Sequence, residues 1–74
     1  MAFDFSELKG RVISKYGSQS AFAEAFGISE TVFSQKMNNK VRFTSDDIVK
    51  ITGMLEISSG EIGKYFFTPK VSKN

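Results

Sequence analysis

The sequence predicts an all-α fold: a compact domain of five short helices. Apolar residues recur three and four positions apart in successive segments, as one face of a helix requires. Glycines or capping residues of the Ser/Thr/Asp type punctuate those segments. At 74 residues the chain is long enough for one small core and is read as a single domain over residues 1–74.

The first helix is expected to start at Asp4 or Ser6, with Asp4 and Glu7 spaced as a capping box. Phe5, Leu8, Val12 and Ile13 form its apolar stripe, which Tyr16 extends, and Glu7 with Arg11 is spaced for an ion pair. Gly17 ends it. A second helix, from Ser18 to Phe26, turns Phe22, Ala23, Ala25 and Phe26 to one side, and Gly27 stops it because glycine readily takes the left-handed conformation of a tight turn. Ser29 caps a third helix that reaches Met37; Glu30 suits its positive end, and Phe33 and Met37 lie one turn apart. Asn38 to Phe43 is a loop. Thr44 and Asp47 read as the cap of a fourth helix, whose stripe is Ile48, Ile51 and Leu55, with Met54 beside it. Ser58 and Glu61 are spaced as a capping box for the fifth, flanked by Ile57 and Ile62 as a hydrophobic staple. Ile62, Tyr65, Phe66 and Phe67 follow. Those aromatics either close the core from below or offer a dimer or partner interface. Pro69 prevents continuation, and residues 68–74 are expected to form a flexible tail.

Composition excludes several classes of function. With no cysteine and no histidine, neither a structural zinc site nor His-based nucleophilic catalysis is available in any usual form. The adjacent carboxylates Asp46 and Asp47 are explained by helix capping, and no third ligand lies near them in sequence. No metal, cofactor, small-molecule effector or enzymatic activity is expected. No apolar run approaches the roughly 20 residues of a bilayer span, and no signal peptide is visible, so the expected place is the cytoplasm with no membrane partner. A net charge of +2 does not itself imply nucleic acid. However, Lys36, Lys40 and Arg42 fall between Thr31 and Ser45 with no acidic residue among them.

Residues 19–38 place two short helices around a glycine-containing turn, which is a helix-turn-helix or an ordinary helical hairpin. Gln19, Ala23, Gly27, Ile28 and Phe33 resemble the motif positions of the Cro/CI-type (XRE-like) helix-turn-helix family, and Asn38-Asn39-Lys40 resembles the Asn-Gly-Lys that often follows its recognition helix. The resemblance implies a lambda-repressor-like domain that binds a double-stranded DNA operator, with the third helix in the major groove. A homodimer would read two half-sites about 34–36 Å apart. It places Glu30, Thr31, Ser34, Gln35 and Asn38 at base-reading positions. It makes Gln19, Ser29, Lys36, Lys40 and Arg42 candidate phosphate contacts, and Tyr65, Phe66 and Phe67 the dimer or partner interface.

Two positions depart from the family pattern. Lys36 stands where relatives place an apolar core residue, and Asn39 where glycine is usual; asparagine tolerates the left-handed turn. Glu30 suits cytosine N4 but repels phosphate. The chain as a whole, from its Met-Ala-Phe-Asp-Phe start to its Tyr-Phe-Phe end, is also similar to small partner proteins of phages of Gram-positive bacteria. One such type, the modulators of repression, acts by binding a phage repressor and blocking its DNA-binding surface. The main expectation is a Cro-type transcriptional regulator, and the alternative is a modulator of this kind.

Overall fold

A computed structural model describes residues 2–70. Its helices are α1 (Ser6–Tyr16), α2 (Gln19–Phe26), α3 (Glu30–Met37), α4 (Ser45–Leu55) and α5 (Ile62–Phe66), the last entered through a 3-10 turn at Ser59–Glu61. The fold is all-α and compact, with a radius of gyration of 11.8 Å.

The punctuation read from sequence sets the helix ends. Gly17 (φ 87°) closes α1 and Gly27 (φ 103°) closes α2, both left-handed. Ser18 Oγ accepts from the Ala21 N–H at 3.0 Å and Ser29 Oγ from the Val32 N–H at 3.2 Å, so each hydroxyl satisfies a free amide in the first turn. Thr44 and Asp47 form a complete capping box at the head of α4. The C-terminal turns of α2, α3 and α4 share one arrangement, a six-to-one bond beside a five-to-two bond. It is made by Ile28 N–H to Ala23 C=O, Lys40 N–H to Gln35 C=O and Ile57 N–H to Thr52 C=O, at 3.0, 2.8 and 2.9 Å. Only at α2 is the left-handed residue glycine; at α3 and α4 it is Asn39 (φ 65°) and Glu56 (φ 55°).

Several local expectations are corrected. Asp4 makes no box with Glu7; its Oδ1 instead accepts from the Ser6 N–H and hydroxyl, at 2.9 and 2.6 Å. Arg11 does not pair with Glu7. Its guanidinium reaches across to α4 and donates to the C=O groups of Leu55 and Glu56, both at 3.0 Å, while Glu7 lies 3.9 Å from Lys64. Ser58 and Glu61 bond side chain to side chain at 3.2 Å and cap no backbone, so the first turn there tightens to 3-10. Ile13 and Ala25 face solvent. Thr68 to Lys70 is not a free tail: Asp4 N–H donates to Thr68 C=O at 2.7 Å and Lys70 N–H to Ala2 C=O at 3.0 Å, with Phe3 paired antiparallel to Pro69. Residues 71–74, the rest of that expected tail, lie outside the described residues.

The core gathers Leu8 and Val12 of α1, Phe22 and Ala23 of α2, Phe33 of α3, Ile51 and Leu55 of α4, and Tyr65 and Phe66 of α5. All eight phenylalanines belong to one chain of ring contacts. It runs from Phe22 through Phe33 and Phe43 to Phe5, Phe3 and Phe67, so an aromatic path leads from the centre to the surface.

Candidate functional site

Two surfaces present themselves, joined at the C-terminus of α3. The first is the outward face of α3. Glu30, Thr31, Gln35 and Asn38 are exposed and Ser34 is half-buried; together with Lys40 they line one shallow depression. The structure therefore brings the five expected base-reading positions into one patch. Asn38 Nδ2 donates to Ser34 Oγ at 3.3 Å, so part of that polar capacity is met internally. Gln19, at the first turn of α2, lines a neighbouring polar cleft with Lys9, Ser34, Asn38 and Lys70.

The charge of Lys36 is turned away from this face. Its Nζ lies 2.9 Å from Asp47 Oδ2 and 3.2 Å from the Arg42 C=O, and its side chain is only 11% exposed. This corrects the expectation that Lys36 is a phosphate contact: the ammonium is already neutralised and ties α3 to the head of α4. Burial pushes the Asp47 carboxyl up, but hydrogen bonds from Lys36 and Thr44 and the Lys36 charge outweigh it, so its pKa lies below the ordinary carboxylate value. Lys40 and Arg42 are exposed, and among the described residues neither forms an ion pair. Ser29 is occupied by capping, though its hydroxyl stays at the surface.

The second surface is an aromatic groove of about 280 Å³ between the start of the chain, the loop after α3 and the end of α5. Phe3, Phe5, Phe43, Ile48, Phe66 and Phe67 form its walls and floor. Val41, Arg42, Asn39 and Lys36 border it, and among the described residues no carboxylate lines it. Phe67 is 50% exposed and Val41 40%, while Phe3 and Phe43 are half-buried. Phe67 stands edge-on to Phe3 with centroids 5.7 Å apart, and Phe43 edge-on to Phe5 at 5.1 Å. Tyr65 and Phe66, for which the residues leave core and interface both open and which the family resemblance puts at an interface, are core: they are 6% and 2% exposed, because α5 turns them inward against α1. Phe67 alone of those three offers its ring to a partner.

Sequence reasoning missed Phe3, Val41, Phe43 and Asn39 as parts of this surface. A signal existed. Phe3-Asp4-Phe5 and Val41-Arg42-Phe43 alternate apolar and polar, the period of extended chain, which sends alternate side chains to one side.

Among the described residues no cluster of three or more acidic, Cys or His side chains is placed to hold a metal ion, and no helix is long and apolar enough to cross a membrane.

No curated protein matches the chain. Among solved structures, the solution structure of the modulator of repression (MOR) of the temperate bacteriophage TP901-1 from Lactococcus lactis is similar. It is 43% identical with a TM-score of 0.81, and the match covers 97% of each chain. The profile of a family described as "Protein of unknown function (DUF739)" matches residues 1–69. By that match over nearly its whole length, the chain belongs to the DUF739 family.

Proposed function

We propose that the chain is a phage modulator of repression, which binds a partner repressor in the bacterial cytoplasm and keeps it from its operator. The observation that carries this reading is the similarity to the modulator of repression of phage TP901-1 over 97% of both chains. The structure supplies a surface suited to the task. A groove lined by aromatic rings and bordered by Arg42, with no carboxylate among the described residues that line it, fits an apolar segment of the repressor that carries an acidic residue. A standard docking patch covers about 800 Å² per partner, about a sixth of the 4854 Å² surface here. A patch of that size centred on the groove extends past Asn39 onto the end of α3. A repressor docked there would cover the end of α3, and the chain would in turn occupy repressor surface that the operator needs.

A second reading, the Cro-type regulator, is favoured by one observation: Glu30, Thr31, Ser34, Gln35 and Asn38 form one accessible patch beside the free cation Lys40. Against it, Lys36 is sequestered by Asp47, and Glu30 puts negative charge at the end of the helix that would approach phosphates. One experiment separates the two. Purified chain is added to the repressor of the same phage bound to its operator, and separately to the operator alone, at physiological salt. Release of the operator in the first tube with no retardation in the second supports the modulator. Retardation of the operator by the chain alone, with no effect on the repressor complex, rejects it in favour of direct DNA binding.

A further inference from the structure

The side chain of Asn39 does more than the left-handed turn beneath it requires. Glycine would serve at φ 65° as well or better. Yet Asn39 Oδ1 accepts from the Phe3 N–H and Asn39 Nδ2 donates to the Phe3 C=O, each at 2.9 Å. One amide thus satisfies both polar groups of one backbone residue, as a neighbouring strand would. On the other edge of the same segment, Thr68 and Lys70 bond to Asp4 and Ala2. Phe3 is therefore gripped from both sides, although no helix begins until Ser6. Its ring stands against Phe67 at 5.7 Å and Phe5 at 6.3 Å and forms a wall of the aromatic groove.

We propose that Asn39 is a positioning residue for partner recognition: it fixes the backbone of Phe3, and through the Phe3 ring it sets Phe67, the most exposed aromatic side of the groove. This rests on the reading that the groove docks a repressor. Because Asn39 is also the turn residue of α3, the same contact fixes the groove relative to the C-terminus of α3.

The test compares wild type with Asn39→Gly and Asn39→Asp. Glycine keeps the turn and removes both bonds; aspartate keeps the acceptor and removes the donor. Two readouts are taken. Amide exchange and ring contacts by NMR need no partner, and titration of the phage repressor measures affinity. For Asn39→Gly the expected result is an intact fold, Phe3 amide exchange faster by about tenfold or more, loss of the Phe3–Phe67 ring contact, and repressor affinity about tenfold weaker, in line with two lost hydrogen bonds. Asn39→Asp is expected to fall between glycine and wild type in Phe3 amide protection. A merely structural residue would lower thermal stability without moving affinity. Unchanged exchange and ring contacts in Asn39→Gly overturn the proposal, as does unchanged affinity when Phe3 has been released. If wild type itself does not bind the repressor, the docking reading fails. The NMR readout then still decides whether Asn39 sets Phe3.

Discussion

Replacing Asp47 by alanine removes two interactions at once, because Asp47 Oδ2 accepts both from Lys36 Nζ at 2.9 Å and from the Thr44 N–H at 3.0 Å. The Thr44 hydroxyl still caps the backbone N–H of position 47, so only the reciprocal half of the box is lost, a hydrogen bond worth about 1 kcal/mol. The ion pair lies between two regimes: exposed pairs are worth about 0–1 kcal/mol, and breaking a fully buried one costs about 3–5. With the two side chains 11% and 18% exposed, and with Lys36 keeping its bond to the Arg42 carbonyl, the pair is assigned about 1–2 kcal/mol. Asp47→Ala should therefore destabilise the domain by about 2–3 kcal/mol, a fall in melting temperature of roughly 8–24 °C for a chain of this size. Lys36→Met should cost about 1–2 kcal/mol, since the cap survives. Urea unfolding of both single variants and the double variant measures the coupling. A coupling of about 1 kcal/mol or more is expected. Asp47→Ala within about 0.5 kcal/mol of wild type, or single effects that simply add, would refute the assignment and return Lys36 to the pool of free surface cations.

Other consequences can be checked in the same way. Because the Asp47 carboxyl has its pKa lowered by folding, its contribution is fully present above the ordinary value of 3.8 and lost as pH falls through the depressed folded value; an acid titration of wild type should show a loss of stability in that range that is smaller in Asp47→Asn, where Asp4, held low by its hydrogen bonds from Ser6, still contributes. Glu56 holds a left-handed turn at φ 55° where glycine carries no strain, and its pairing with Lys15 is largely exposed. Glu56→Gly should raise stability by about 0.5–1 kcal/mol in chemical denaturation, and a clear loss would show that the Lys15 contact matters more than the turn. Phe66→Ala empties a site 2% exposed and should cost about 3–5 kcal/mol. Phe67→Ala, at 50% exposure, should cost about 1 kcal/mol; equal losses at the two positions would contradict their assignment to core and surface.

Sequence revealed those parts of the fold whose causes are local. Gly17, Gly27, Ser29 and the Thr44–Asp47 box act on amides within a few residues, so their roles survive into the structure. Contacts that join distant segments were hidden. Arg11 had an acidic neighbour at ideal helical spacing but found two carbonyls 44 and 45 positions away, at the end of α4, where free C=O groups concentrate. Lys36 looked like a misplaced core residue because its partner, Asp47, had already been explained as a cap; it does both jobs. Tolerance of the left-handed turn accounts for the backbone of Asn39 and leaves its amide unexplained, because the partner, Phe3, lies 36 positions away. The aromatic surplus at the end of the chain was noticed, yet helix phase decides that Tyr65 and Phe66 go inward and Phe67 outward, and the short α5 gave too little periodicity to settle that phase. The pairing of residues 2–4 with 68–70 left almost no local signature, since it involves only a few residues on each side.

The most direct test of the modulator reading is a calorimetric titration of the phage's repressor with wild type, Phe67→Ala and Gln35→Ala. Docking through the aromatic groove predicts saturable binding by wild type. Phe67→Ala should weaken it by about 2 kcal/mol or more, roughly thirtyfold, as truncation of a central aromatic anchor does, while Gln35→Ala should change it little. Full affinity in Phe67→Ala together with loss in Gln35→Ala would place recognition on the outward face of α3 and contradict the account.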